Sequence, residues 1–150
     1  MAIRNSAKAL VIKDGKILLN RCRSRYGAYY ALPGGGQKVG ETLEEAIRRE
    51  LLEETGVSVM PQRMAGVYEQ VTQRRDGVPD HKVYFFFLCA LTNAENKKPT
   101  ERDAYQLYSE WVDLGEAAVG RLFPRTVRDN LLRMIYGDST YFLGSEHKGQ

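Results

Sequence analysis

Histidine and cysteine are scarce in this chain, with two of each in 150 residues. His81 and His147 lie far apart in polar stretches, which argues against a histidine-based zinc site. Cys22 and Cys89 sit in apolar, strand-like runs without metal-ligand spacing and read as buried, reduced thiols. Long hydrophobic runs are missing too. No apolar stretch reaches the ~18 residues of a membrane span, and "MAIRNSAKAL" lacks the apolar segment of a leader. A cytoplasmic protein with no membrane partner is expected. A strong charge of one sign is also lacking. The net charge of +3 is too small to indicate nucleic-acid binding, so no stable nucleic-acid partner is expected, and it suits an anionic small molecule. With 43% hydrophobic and 27% charged residues, the chain reads as one globular domain over 1–150.

Alternation and turn residues give the elements. Ala9 to Ile12 and Ile17 to Leu19 flank Asp14-Gly15 as a hairpin. "RSRYGAYY" reads as a basic, aromatic connector, and "ALPGGGQKVGE" as a loop. Thr42 to Thr55 is helical, with Thr42 and Glu45 spaced as a capping box and Gly56 as the stop. Strands are expected at Val57 to Met60, Met64 to Gln73, Val83 to Leu91 and "SEWVDL". "LGEAAVG" fits one or two helical turns, and "PRTVRDNLLRMIYG" a second full helix. The order of strands, helix, strands, helix makes an α+β fold. The tail carries Tyr141-Phe142-Leu143, suited to docking on the body or on a partner.

The first helix poses a problem. Glu50, Glu53 and Glu54 crowd its C-terminal end, where like charges repel and the helix dipole disfavours carboxylates. At ~100° per residue, Leu43, Ile47 and Leu51 form the core-facing stripe, and Glu54 projects roughly 20° from Leu43, inside it. Glu44, Glu45 and Arg48 lie on the solvated side. Surface glutamates are the plain reading of such residues. It suits Glu44 and Glu45 but not Glu54, because a carboxylate aimed inward needs a partner. Arg49 is spaced to pair with Glu53 or Glu45, yet one arginine does not neutralise three carboxylates. Clustered hard oxygens suit Mg²⁺ or Mn²⁺.

Three glycines precede this helix and allow close approach of backbone to a ligand. A phosphate-binding P-loop fails here, because Glu41-Thr42 stands where Lys-Ser/Thr is required. Taken together, Gly35, five residues, Glu41, seven residues, Arg49-Glu50-Leu51, one residue, Glu53-Glu54, one residue and Gly56-Val57 resemble the signature of the Nudix hydrolase family, with every specified position present. A chance match in a chain of average composition is on the order of one in ten million.

The resemblance implies an α/β/α sandwich with a mixed sheet between helices. It implies a metal-dependent pyrophosphohydrolase that cleaves a nucleoside diphosphate linked to another moiety, ADP-ribose-like, by water attack on phosphorus. A nucleotide-sanitising (d)NTP pyrophosphohydrolase is the alternative, and a non-catalytic nucleotide-sensing domain a third reading, against which the intact signature stands. Glu53, Glu50 and Arg49 take the catalytic positions, with Arg49 orienting the glutamates. Glu50, Glu53, Glu54 and the Gly34 carbonyl take the metal positions, with Mg²⁺ or Mn²⁺ as cofactor. Glu41 supports the loop–helix junction. The general base is a glutamate of the signature or one of Glu101, Asp103 and Glu110. Marks of particular substrates, a proline or tyrosine near Thr72 to Arg75, are absent. Arg21, Arg23 and Arg25 alternate, so an extended segment points all three one way, to grip phosphate or to form a solvated edge. Tyr26, Tyr29, Tyr30 and Phe142 are candidates to stack on a base or to pack. A homodimer is expected from the apolar residues Tyr136 and Tyr141 to Leu143.

Overall fold

The computed structural model describes residues 2–92 and 105–148. β1 (Arg4–Lys13) and β2 (Lys16–Ser24) form the expected hairpin. Asp14 and Gly15 both turn with positive φ, 51° and 75°, the sense that matches strand twist. The basic, aromatic connector is instead a second hairpin, in which β3 (Gly27–Ala31) pairs back on β2.

The glycine loop also differs from expectation. Gly34–Gly36 is a short strand, β4, antiparallel to β1 with Lys8 opposite Gly34. Glycine permits this rather than preventing it. Gly34 has φ +134°, and a Cβ there would lie 2.1 Å from the Ala7 carbonyl oxygen, so only a residue without a side chain lets the strands pair.

α1 (Leu43–Thr55) follows with both halves of the Thr42–Glu45 capping box formed, and Gly56 closes it in the left-handed conformation. Its Ala46, Ile47 and Leu51 are fully buried. Each large apolar side chain buried this way contributes about 1.5–3 kcal/mol.

β5 (Val59–Gln73) merges the two strands expected there. The register shifts between Pro61 and Arg63 and again between Met64 and Gly66. Proline donates no N–H to a ladder, so a bulge accommodates it within one continuous strand. β6 (Pro79–Leu91) returns beside it, and β7 (Gln106–Asp113) pairs with β2. α2 (Leu114–Val119) matches the expected short helix. The second long helix is two pieces, α3 (Arg125–Asp129) and α4 (Leu131–Tyr136). Asn130 breaks it. Its φ of −111° departs from helical geometry, and its side-chain amide and backbone N–H both donate to the Thr126 carbonyl, at 2.7 and 3.2 Å.

The tail is strand β8 (Tyr141–Lys148), parallel to β5 at the sheet edge. The tail therefore docks on the chain's own body, while Tyr136 and Phe142 stay exposed. The sheet runs β3-β2-β1-β6-β5-β8, with β4 on β1 and β7 on β2. It is mixed, since β1–β6 and β5–β8 are parallel. One face packs α1 through Ala7, Ala9, Val11, Leu18 and Phe87. The other packs α2 to α4 through Leu10, Ile17, Leu19, Tyr68 and Phe86. This is the expected α/β/α sandwich. Cys22 and Cys89 are buried and not in disulfides, and burial pushes the Cys89 thiol up to about 12. Among the described residues no helix is long and apolar enough to cross a membrane.

Candidate active site

The carboxylates of α1 meet the glycine strand. Glu54 projects inward as the helical wheel requires and is 5% exposed. Its Oε1 accepts from the Gly34 N–H at 2.8 Å and from the Asn20 amide at 3.5 Å. Ser109 donates to Asn20 Oδ1 at 2.9 Å and fixes that amide. Gly35 leaves the space that Glu50 occupies, since a Cβ there would lie 2.7 Å from the Glu50 carboxyl carbon.

Arg49 gathers the remaining charge. It donates from Nε and Nη2 to both oxygens of Glu41, at 2.6 and 2.9 Å. Nη1 reaches Glu50 at 2.9 Å and Glu53 at 3.2 Å, and Nη2 also reaches the Gly36 carbonyl at 2.9 Å. Glu45 stays with its cap and does not pair with Arg49. The guanidinium holds the Glu41 carboxyl down at about 2, and its own pKa is raised, chiefly by Glu41. Burial pushes Glu50 above the usual carboxylate range, although Arg49 pulls it down.

One guanidinium serves three carboxylates, and Glu54 lies beyond it. That donor set, hard oxygens in excess over cations, fits a hard divalent ion. Among the described residues no three acidic, histidine or cysteine side chains converge on one point. Arg49 gathers Glu50 and Glu53, while the Gly34 N–H and Asn20 hold Glu54. The Gly34 carbonyl accepts from the Lys8 ammonium at 3.2 Å.

A cleft opens here in two halves. The polar half, about 270 Å³, is lined by Gly34 to Gly36, Glu50, Glu54, Arg4, Ser6 and Lys82. The apolar half, about 240 Å³, is lined by Leu32, Phe86, Phe123, Pro124, Val127 and Lys148. Lys8 and Tyr84 line both halves and mark their junction. Tyr84 stacks between Tyr68 and Phe86, with centroids 5.8 and 6.3 Å away.

Sequence reasoning missed Lys8, Tyr84, Phe123, Lys148 and Asn20. Two left a signal. Lys8 interrupts the apolar run of β1, and Asn20 is a buried amide in "KILLNRC".

The structure ties Glu50 and Glu53 to Arg49, and Glu54 to the Gly34 N–H. It does not bring Arg21, Arg23, Arg25 and Tyr30 to them, and none of these four lines either half of the cleft. Arg21 donates to the Tyr30 hydroxyl at 2.9 Å, and that hydroxyl donates to Glu110. Arg21 also lies 3.7 Å from Glu110. In register with Leu19, Glu110 shares the face of β2 opposite Asn20 and Glu54. Arg23 is exposed on β2. Arg25 falls past the end of β2, not in an extended row, and its guanidinium lies 4.8 Å from the Tyr26 ring centroid. Tyr29 meets Phe123 edge to face, with centroids 6.0 Å apart. Glu101 and Asp103 lie outside the described residues.

A family model described as the NUDIX domain matches residues 3–131. The ADP-ribose pyrophosphatase of Methanocaldococcus jannaschii is 36% identical over 89 residues, 59% of this chain and 51% of that protein. The human 8-oxo-dGDP phosphatase NUDT18 is 33% identical over 104 residues, 69% of this chain and 28% of that one. The chain thus spans about half the length of the first and less of the second. Among solved structures, a NUDIX hydrolase from Nitrosomonas europaea superposes with a TM-score of 0.74, at 22% identity and 93% coverage of both chains.

Proposed function

The chain belongs to the NUDIX family, and from that premise we propose that it is a divalent-metal-dependent pyrophosphohydrolase acting on a nucleoside diphosphate joined to another moiety. The observation that carries this reading is that Glu50, Glu54 and Gly34 line one polar cleft, which shares Lys8 and Tyr84 with an aromatic pocket. Glu50, Glu53, Glu54 and the Gly34 carbonyl would hold Mg²⁺ or Mn²⁺. That ion, when bound, supplies neutralisation of phosphate oxygens and acidification of a water.

The chain's own groups do the rest. Lys8, at the junction of the two halves, reaches the diphosphate. Phe123, in the lining of the apolar half, packs against the base. Arg49 keeps Glu50 and Glu53 in place and gives up part of its contact with them when a cation takes their charge. Glu53, at 27% side-chain exposure more open than Glu50 at 17%, accepts the proton of the attacking water. Glu110 lies on the face of β2 opposite Asn20 and Glu54, which disfavours it as the base.

An ADP-ribose-like substrate is supported by relatives named as ADP-ribose pyrophosphatases. Cleavage of an oxidised nucleotide, after the relative named as an 8-oxo-dGDP phosphatase, is the competing assignment. A nucleotide panel with Mg²⁺ and chromatographic resolution of products tests both. Hydrolysis of ADP-ribose to two monophosphates supports the first, and preference for the oxidised nucleotide replaces it with the second. No hydrolysis of any member, or full activity in excess chelator, overturns the enzyme reading. A reducing cytoplasm suits the two buried thiols. Assembly as a two-fold dimer through the exposed Tyr136 and Phe142 is also proposed. Light scattering should then give twice the 17.0 kDa chain mass, and a monomer mass rules the dimer out.

A further inference from the structure

We infer that the apolar half of the cleft selects nucleotides bearing a second anionic group, away from the diphosphate, and that Lys148 holds it. This rests on the cleft being a nucleotide site. At about 240 Å³ the pocket is smaller than the ~300–1,000 Å³ typical of drug-sized ligands, so it takes one ring with its near substituents.

Among the described residues the lining contains no carboxylate and no side-chain amide. Those are the groups that pair with the mixed donor and acceptor edge of a neutral base. The polar side chains among the described lining residues are those of Lys8, Lys148 and Tyr84. Such a pocket grips the ring by its faces and reads charge rather than base edge.

The two lysines come from opposite sides. β1, carrying Lys8, and β8, carrying Lys148, flank the β6–β5 pair in the sheet. Lys8 is committed toward the polar half by its bond to the Gly34 carbonyl. Lys148 makes no ion pair among the described residues. It lies beyond residues 3–131, the span matched by the family model. The tail strand thus adds to the pocket a cation from outside that span. A ring with anions at both ends satisfies both ammonium groups, whereas a ring with only the diphosphate leaves Lys148 without a counterpart.

Calorimetry separates this inference from hydrolysis. The probes are adenosine and guanosine 5′-monophosphates and their 2′,5′- and 3′,5′-bisphosphates, none of which has a pyrophosphate bond. For at least one base, one bisphosphate should bind about fivefold more tightly than its monophosphate at low salt, the size of a solvent-accessible ion pair. Lys148→Gln should abolish the gap with monophosphate affinity unchanged, and Lys148→Arg should restore it. Equal affinities, or a gap that survives Lys148→Gln, overturn the inference. If the panel with Mg²⁺ is hydrolysed but no gap appears, this inference alone fails. If no probe binds and nothing is hydrolysed, the nucleotide-site reading fails with it.

Discussion

Two arginine–carboxylate networks stand on opposite sides of the sheet, and they differ in how far they are closed. On the α1 side, Arg49 serves Glu41, Glu50 and Glu53, with Glu54 beyond it. On the other side, Arg21 faces one carboxylate, Glu110, through Tyr30. The second network balances its charge. In the first, Arg49 is outnumbered by its own carboxylates, beside a cleft that Gly34, Lys8, Arg4 and Lys82 also line. Excess charge of one sign is costly to fold unless a ligand offsets it, so the unbalanced network is the one expected to do chemistry.

The sharpest way to break this comparison is to alter the unbalanced side. Glu53→Gln or Glu54→Gln keeps shape but removes a charge. kcat should fall roughly 10²-fold or more, about 2.7 kcal/mol of transition-state stabilisation. Glu44→Gln, on the solvated side of α1, is the control and should change kcat by less than about twofold. Equal losses at Glu44 and Glu54 would mean that the glutamates are merely surface charge.

The glycine strand that receives these carboxylates gives the next largest effect. Gly34→Ala forces a Cβ against the Ala7 carbonyl in a backbone conformation that L residues avoid. It should cost about 2–4 kcal/mol of stability. Gly36→Ala meets nothing within 4 Å and should stay within ~0.5 kcal/mol. Urea denaturation of both variants checks the pair. Similar losses at the two positions would show that β4 tolerates side chains throughout.

A smaller effect follows from acid. The Glu41 carboxyl is held down at about 2 from an ordinary 4.5. Its folded-state pKa is lowered, so its stabilisation is full above pH 4.5 and is lost as pH falls toward 2. The stability advantage of wild type over Glu41→Gln should therefore be constant from pH 6 to 5, shrink by pH 3 and vanish near pH 2. An advantage that does not change over this range would detach Glu41 from Arg49.

Much of the α1 side was legible in the sequence because its contacts are local. Capping by Thr42 and Glu45, the stop at Gly56 and the inward aim of Glu54 all follow from spacing along one helix. The Nudix signature then tied that helix to the glycines. The rest depends on pairings between distant segments. Lys8 meets Phe86 only because β1 and β6 align in parallel, and Lys148 joins the cleft only because the tail adds to β5. Nothing near Lys148 in sequence announces a pocket. Asn130 misled for a different reason: its helical surroundings gave no sign of the backbone turn that separates α3 from α4. Of the alternating arginines, Arg21 and Arg23 lie in β2 as expected, while Arg25 falls outside the row because the strand stops at Ser24.

The balanced network supplies the smallest effect and the most direct check. Arg21 and Glu110 are about a third exposed, at 36% and 33% of their side chains. Exposed pairs of this kind contribute up to ~1 kcal/mol. Burial and the bond to Glu110 raise the Tyr30 hydroxyl's pKa, with Glu110 the larger cause, so at neutral pH the phenol stays protonated and donates. Tyr30→Phe deletes that donor. It leaves Arg21 and Glu110 to pair directly, and its loss of stability should stay below ~1 kcal/mol. Arg21→Ala should leave kcat and KM within about twofold, because neither residue lines the cleft. A large rise in KM with kcat unchanged would mean that Arg21 binds substrate, since uniform binding would then have been removed. That result would place the substrate's far end across β2 and restore the alternating arginines as a phosphate grip. Arg23→Ala, exposed on the same strand, distinguishes the two cases. A rise shared by both variants and weakened by salt marks a basic face that attracts the substrate, whereas a rise at Arg21 alone marks a contact made through Tyr30 and Glu110.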